Sequence, residues 1–167
     1  HNPYNAQFES LSLRRACVAA FASNGKLGKI AQEDQFNFAH FIRRDKRIDP
    51  TLGIYASYAY TLSSDQKSVS SIYDYFKFYQ NDTLQEKFIL PFDIAFLANK
   101  DVSSKKFITT IFPMMSLGWS LLDSYIYKDK LNPLILDLGK RRLNAEWSTF
   151  SVDNNLDFIN AFTKGHF

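Results

Sequence analysis

The residue types that perform covalent chemistry are scarce in this chain. Its single cysteine is Cys17, in an alanine-rich segment, and its three histidines are His1, His40 and His166. A nucleophilic cysteine needs a neighbouring base that helps to form the thiolate, and only His40 lies away from the ends of the sequence. We therefore expect Cys17 to be a small core residue. A hydrolase that pairs His40 with a carboxylate is kept as an alternative function.

Metal and phosphate motifs are incomplete. The histidines lack metal-binding spacing and there is no CxxC pair, so we expect no metal site and no cofactor. Segment 25–29 reads Gly-Lys-Leu-Gly-Lys, which resembles the end of a phosphate-binding loop. It lacks the earlier glycine of that motif and the Ser or Thr after the lysine. An ordinary loop between helices explains the segment better, with Gly25 as a left-handed helix cap.

Four carboxylates lie within apolar stretches of the sequence. They are Asp74, Asp93, Asp123 and Asp137. Two of them facing each other in a cleft would suit general acid–base chemistry. Helix caps or exposed helix faces explain each of them without catalysis. The sequence therefore favours a non-catalytic protein and leaves an enzyme open.

Basic side chains are concentrated in two clusters, within segments 43–47 and 140–142. Their members are Arg43, Arg44, Arg47, Lys140, Arg141 and Arg142. The net charge is only +3, which is a smaller excess than dedicated nucleic-acid-binding domains usually carry. Cations at helix C-termini complement the helix dipole. Clusters on one edge would instead bind nucleic acid or another anionic surface, and this is our alternative function.

Aromatic side chains make up 16% of the chain. Between residues 66 and 80, Ile72 and Phe76 lie on one helical stripe that we expect to be buried. Tyr75 and Phe78 fall off this stripe, so the helix has more rings than one face can bury. We predict that Tyr75, Phe78 and Tyr79 form a partner-binding surface. Burial between two neighbouring helices is the other interpretation.

Helices are the elements that we expect to position these side chains. Asp49-Pro50 is a strong helix start, because the carboxylate can accept from free N–H groups and proline suits the first helical position. The helix over 50–62 then carries an apolar stripe at positions 52, 55, 56 and 59. The β-branched run 107–112 suits a strand in isolation, but no second comparable run exists to pair with it. Further helices are predicted over 3–22, 30–46, 66–80, 133–143 and 154–163, and from after Pro113 to about 125. A helix over 83–89 is either kinked at Pro91 or followed by another over 91–98, and we favour the break.

The length of 167 residues fits one domain, 1–167. No run of about 18 apolar residues is present, so we expect no membrane span. One cysteine excludes an internal disulfide and suits a reducing, cytoplasmic location. We predict an all-α fold of seven to eight helices in an irregular array of antiparallel helical hairpins. Because the sequence begins at His1 rather than Met, we expect it to be a fragment of a larger protein.

Residues 49–80 resemble a helical-hairpin repeat of the tetratricopeptide or HEAT kind. The resemblance is carried by the Pro-x-Leu opening, the small and aromatic residues of segment 55–60, and the short turn before a second amphipathic helix. Its period, about 41 residues, differs from the 34 of tetratricopeptide repeats, so no individual residue is carried over. The resemblance implies a non-catalytic protein–protein interaction or scaffold module of a larger intracellular protein. Its partner would be another protein or another domain of the same chain.

Overall fold

The computed structural model describes residues 3–32, 37–80, 90–102, 113–131, 133–151, 160 and 163. Within these residues the chain forms seven α-helices and no strand, which confirms the all-α class. The helices are α1 (Pro3–Ser23), α2 (Phe38–Arg44), α3 (Pro50–Leu62), α4 (Gln66–Gln80), α5 (Phe92–Leu97), α6 (Ser116–Leu121) and α7 (Pro133–Lys140). Short 3-10 helices cover Leu27–Ala31, Asp45–Arg47, Leu122–Ser124 and Lys128–Lys130. No helix in this described part has the length and apolar character that crossing a membrane requires.

Helix α3 lies at the centre of the core. Every residue from Leu52 to Tyr60 is buried, although the sequence predicted a single apolar stripe. Helices α2, α4 and α5 and the 3-10 helices at 27–31 and 45–47 all contact α3, so it has no solvent face. Its one buried serine, Ser57, satisfies its hydroxyl by donating to the carbonyl of Gly53 at 2.8 Å. A polar residue therefore costs little at the centre of the domain.

The start of α3 follows the sequence prediction. Asp49 Oδ1 accepts a hydrogen bond from the Thr51 amide at 3.1 Å, and Pro50 occupies the first turn. The other carboxylate oxygen pairs with Arg15 of α1. Burial acts to raise the pKa of Asp49, but the hydrogen bonds from Arg15 and Thr51 lower it overall. Asp49 thus caps α3 and also fastens α1 to its first turn.

Most other helix boundaries follow local sequence features. Helix α4 has the predicted bounds. Helix α5 begins at Phe92, directly after Pro91, because proline is unfavourable in the interior of a helix. The helix predicted over 30–46 is wrong as a single element, because Asn37 starts a new helix by accepting from the His40 amide at 2.8 Å. The predictions for 83–89, 107–112 and 154–159 lie outside the described residues. Helices α3 and α4 pack together across a short turn, while the wider hairpin array stays a prediction.

Helix α7 ends at Lys140, earlier than predicted. The segment that follows folds back beside the start of α6. Isolated antiparallel bridges pair Met115 with Trp147 and Arg142 with Phe150. The Ser116 amide donates to the carbonyl of Glu146 at 2.9 Å. The folded-back segment places the Trp147 ring edge-on against the Tyr55 ring of α3, with the ring centroids 5.2 Å apart.

Candidate functional site

Helix α4 divides its aromatic side chains between the core and the surface. Phe76 is fully buried, whereas Phe78 is 69% exposed. Tyr75 and Tyr79 are half-buried, and their ring centroids lie 4.7 Å apart. Phe78 meets Tyr79 edge to face at 5.2 Å. Tyr75, Phe78 and Tyr79 therefore form one continuous aromatic patch beside the core.

The first basic cluster lies against this patch. Nζ of Lys46 is 3.9 Å from the centroid of the Tyr75 ring, and the Arg47 guanidinium carbon is 5.9 Å from that of Tyr79. Cations at such distances are attracted by the negative face of the ring. Burial, and then the nearby Arg43 charge, lower the pKa of Lys46. The fold thus brings the basic segment 43–47 against the aromatic residues of α4, which come about one helix and a turn later in the sequence.

Two other residues of the 43–47 segment, Arg43 and Asp45, bond to neighbouring helices. Arg43 donates to the Ser71 hydroxyl of α4 at 3.2 Å, which ties α2 to α4. Arg44 is exposed. The acid within the segment, Asp45, pairs with Arg14 of α1. We call Tyr75, Phe78, Tyr79, Arg44, Lys46 and Arg47 the aromatic–basic surface.

The second basic cluster has structural partners of its own. Lys140 Nζ and Arg141 Nε lie 3.6 and 3.3 Å from the two oxygens of Asp137, one turn earlier on α7. Arg142 donates to the carbonyl of Ser116 at 2.9 Å, at the start of α6. The first two contacts are i,i+3 and i,i+4 ion pairs near the C-terminus of α7, and the third is a tertiary contact with α6. The structure places this cluster at the end of α7 and directly after it, and the first cluster at the end of α2 and in the following 3-10 helix.

The cysteine and histidine that suggested nucleophilic catalysis are both at the surface. The side chain of His40 is exposed. Cys17 is exposed too, so its predicted place in the core is wrong: the neighbouring Val18 is the α1 residue that is buried there. Segment 25–29 is an ordinary helix end, in which Gly25 adopts a φ of 64° and closes α1. Among the described residues no group of three or more His, Cys, Asp or Glu side chains is placed to hold a metal ion.

The four carboxylates have separate surroundings. Asp74 and Asp123 are exposed, and Asp137 pairs with the end of α7. Asp93 is fully buried and accepts from the Tyr58 hydroxyl at 2.6 Å. Sequence analysis did not assign Asp93 this role. Its signal was a lone acid within the apolar run 90–98, a position that an aspartate occupies only with hydrogen-bond partners.

Comparisons of this chain with protein-family models, with curated proteins and with solved structures found no match. The resemblance of residues 49–80 to helical-hairpin repeats therefore stays a prediction.

Proposed function

We propose that this chain is a non-catalytic interaction module. It binds an acidic segment of a protein partner, or of another domain of the same protein, through the aromatic–basic surface. The observation that carries the proposal is the 69% exposed ring of Phe78, which packs against Tyr79, the ring that lies beside the Arg47 guanidinium. Aromatic and arginine side chains contribute most of the binding free energy at protein interfaces. Leaving such a ring in water has a free-energy cost that a partner would remove.

Charge complementarity selects the occupant. Lys46 and Arg47 lie next to the rings of Tyr75 and Tyr79, Arg44 is exposed in the same segment, and Asp45 pairs with Arg14. An acidic segment with one large apolar side chain satisfies both features: its carboxylates meet the arginines and its apolar group covers Phe78. Asp74, one helical turn before Phe78 on α4, is exposed and gives the surface an acidic border. That border favours a partner whose acidic residues all lie towards the 43–47 side.

A binding measurement with matched variants tests the proposal. The probe is a fluorescent peptide of Asp and Glu residues around a central Leu-Phe pair, followed by anisotropy. Phe78→Ala and Arg44→Ala should each weaken binding by about tenfold. The matched controls are Phe8→Ala, a 71% exposed ring on α1, and Arg141→Ala, directly after α7, and neither should change the affinity. Equal losses from Phe8→Ala and Phe78→Ala would contradict the proposed surface.

Nucleic acid or another anionic surface is the second candidate. Exposed rings beside cations also stack unpaired bases, and the aromatic–basic surface has both groups in contact. In this function the second basic cluster would contribute as well, although Lys140 and Arg141 already share Asp137. A single-stranded oligonucleotide therefore serves as a competing probe. Tight, steeply salt-dependent oligonucleotide binding that is lost in a Lys140, Arg141 and Arg142 to Ala variant would favour this candidate over the acidic peptide.

A further inference from the structure

A cleft opens between the end of α1, the end of α3 and the start of α6. It encloses about 480 Å³, which is within the usual range for small-molecule sites. Its walls are largely apolar and include Leu27, Leu62, Met115 and Leu117. The carboxylate-bearing Glu146 lines the same cleft. A pocket of this kind fits a ligand with an apolar body and one polar group.

The hydrogen bonds of Glu146 leave part of its carboxylate unsatisfied. One oxygen accepts from the Tyr55 hydroxyl, and the other lies 3.1 Å from Oγ of Ser23. Ser23 has a single hydroxyl proton, and its Oγ is also 2.9 Å from the carbonyl of Ala19. Because both neighbours are acceptors, Ser23 can satisfy only one of them at a time. Among the described residues no basic side chain forms an ion pair with Glu146.

A second polar atom in the cleft lacks a partner. The hydroxyl oxygen of Ser116 is buried and forms no hydrogen bond within the described part of the chain. The backbone of Ser116 is fully engaged, since its amide donates to Glu146 and its carbonyl accepts from Arg142. Buried hydroxyl groups in native structures are nearly always paired. Ser116 therefore adds a second unpaired polar group to the residues that line the cleft.

We propose that this cleft binds a small organic ammonium ion with an apolar body. The ammonium group donates to the Glu146 carboxylate, while the apolar body contacts Leu62, Met115 and Leu117. An ammonium group suits this carboxylate, because it has three donors and a positive charge. A carboxylate-bearing ligand is disfavoured by repulsion from Glu146. This site uses none of the residues of the aromatic–basic surface, so either proposal can fail without the other.

NMR titration of the isotope-labelled chain at neutral pH tests the proposal. The probes are hexylamine, hexan-1-ol and hexanoate at matched ionic strength. Hexylamine should shift the amide signals of Ser116 and Ala145 in a saturable manner, and hexan-1-ol should bind about tenfold more weakly or worse. Glu146→Gln should remove this preference for the amine. The control Glu9→Gln, an exposed glutamate on α1, should preserve it.

The remaining outcomes overturn the proposal. Equal affinity for hexylamine and hexan-1-ol on the unmodified chain would show that the carboxylate does not select the ligand. This comparison decides the question even if Glu146→Gln does not fold. A final arm uses a peptide with one lysine flanked by leucines. Binding of that peptide without binding of hexylamine would assign the cleft to a basic protein segment instead of a free amine.

Discussion

The hydroxyl of Tyr58 donates a hydrogen bond of 2.6 Å to Oδ1 of Asp93, and both side chains are completely buried. The backbone amides of Met114 and Met115 donate to the same carboxylate, at 2.9 and 3.3 Å. Asp93 thereby joins α3, α5 and the segment before α6. Burial raises the pKa of Asp93 to about 6, although these hydrogen bonds act to lower it. Burial and the Asp93 charge raise the pKa of Tyr58 well above 10, so Tyr58 remains a donor.

Asp93 should make the domain less stable as the pH rises. Its ordinary pKa is 3.8, so between about pH 4 and 6 the folded chain holds a proton that the unfolded chain has lost. The stability that this proton contributes is complete below pH 4 and is lost as the pH rises through 6. Asp93→Asn removes this dependence, which amounts to about 3 kcal/mol at neutral pH. Urea unfolding of both chains from pH 4 to 7 measures it.

The matched control for Asp93 is Asp74→Asn, which alters an exposed carboxylate on α4. It should reproduce the pH dependence of the unmodified chain. If Asp93→Asn also reproduced it, the pKa of Asp93 in the folded chain would be close to its ordinary value.

Asp49 should have the opposite pH dependence. The hydrogen bonds from Arg15 and Thr51 lower its pKa despite burial, so its contribution to stability is present above pH 3.8 and is lost as the pH falls below it. We expect Asp49→Asn, which keeps a capping oxygen but loses the ion pair, to cost about 1 kcal/mol at pH 6, because Arg15 is largely exposed. The cost should shrink below pH 4 in acid unfolding measurements. A cost that did not change with pH would show that the ion pair does not contribute.

The aromatic residues of α4 should separate into core and surface by stability. Phe76→Ala leaves a cavity beside α3 and should lower the unfolding free energy by about 3–5 kcal/mol. Phe78→Ala should change it by about 0.5 kcal/mol or less, and the half-buried Tyr75 should give an intermediate value. Urea midpoints of the three variants provide the comparison. A loss at Phe78 as large as that at Phe76 would mean that Phe78 is covered, and the aromatic–basic surface would be wrong.

Gly118 of α6 should not tolerate a side chain. A methyl group there would overlap the Tyr58 hydroxyl and lie 2.6 Å from Cβ of Pro113. Gly118→Ala should therefore cost about 1–3 kcal/mol, despite the better helix propensity of alanine. Adding Tyr58→Phe removes the hydroxyl that is in the way. The loss in the double variant should then be smaller than the two single losses combined, and strict additivity would contradict this packing.

Local chemistry explains why much of the fold is predictable. Asp49 and Pro50 start α3 through contacts within one turn, Pro91 is the residue that directly precedes α5, and Gly25 ends α1 in a conformation that suits glycine. The spacing of apolar residues at intervals of three and four in α4 also places Phe76 in the core and Phe78 outside it. Each of these features depends on residues that are close together in the sequence.

The features that sequence analysis missed depend on distant residues. The full burial of α3 requires segments on both sides of it to pack around one helix. The contact of Lys46 with Tyr75 exists because the 3-10 helix 45–47 and α4 both lie beside α3. The cleft that Glu146 lines joins Ser23, Ser116 and Glu146 from three separate parts of the chain. Cys17 was misplaced because the pattern of α1 does not reveal which of two adjacent small residues faces the core.

The enclosure of α3 links the two halves of the described fold. Segments that precede α3 and segments that follow it each cover part of its surface, so neither half can shield this helix by itself. A truncation on either side would expose apolar side chains such as Leu52 and Ile54 to water. The domain should consequently melt in a single cooperative transition, and its isolated halves should aggregate rather than fold.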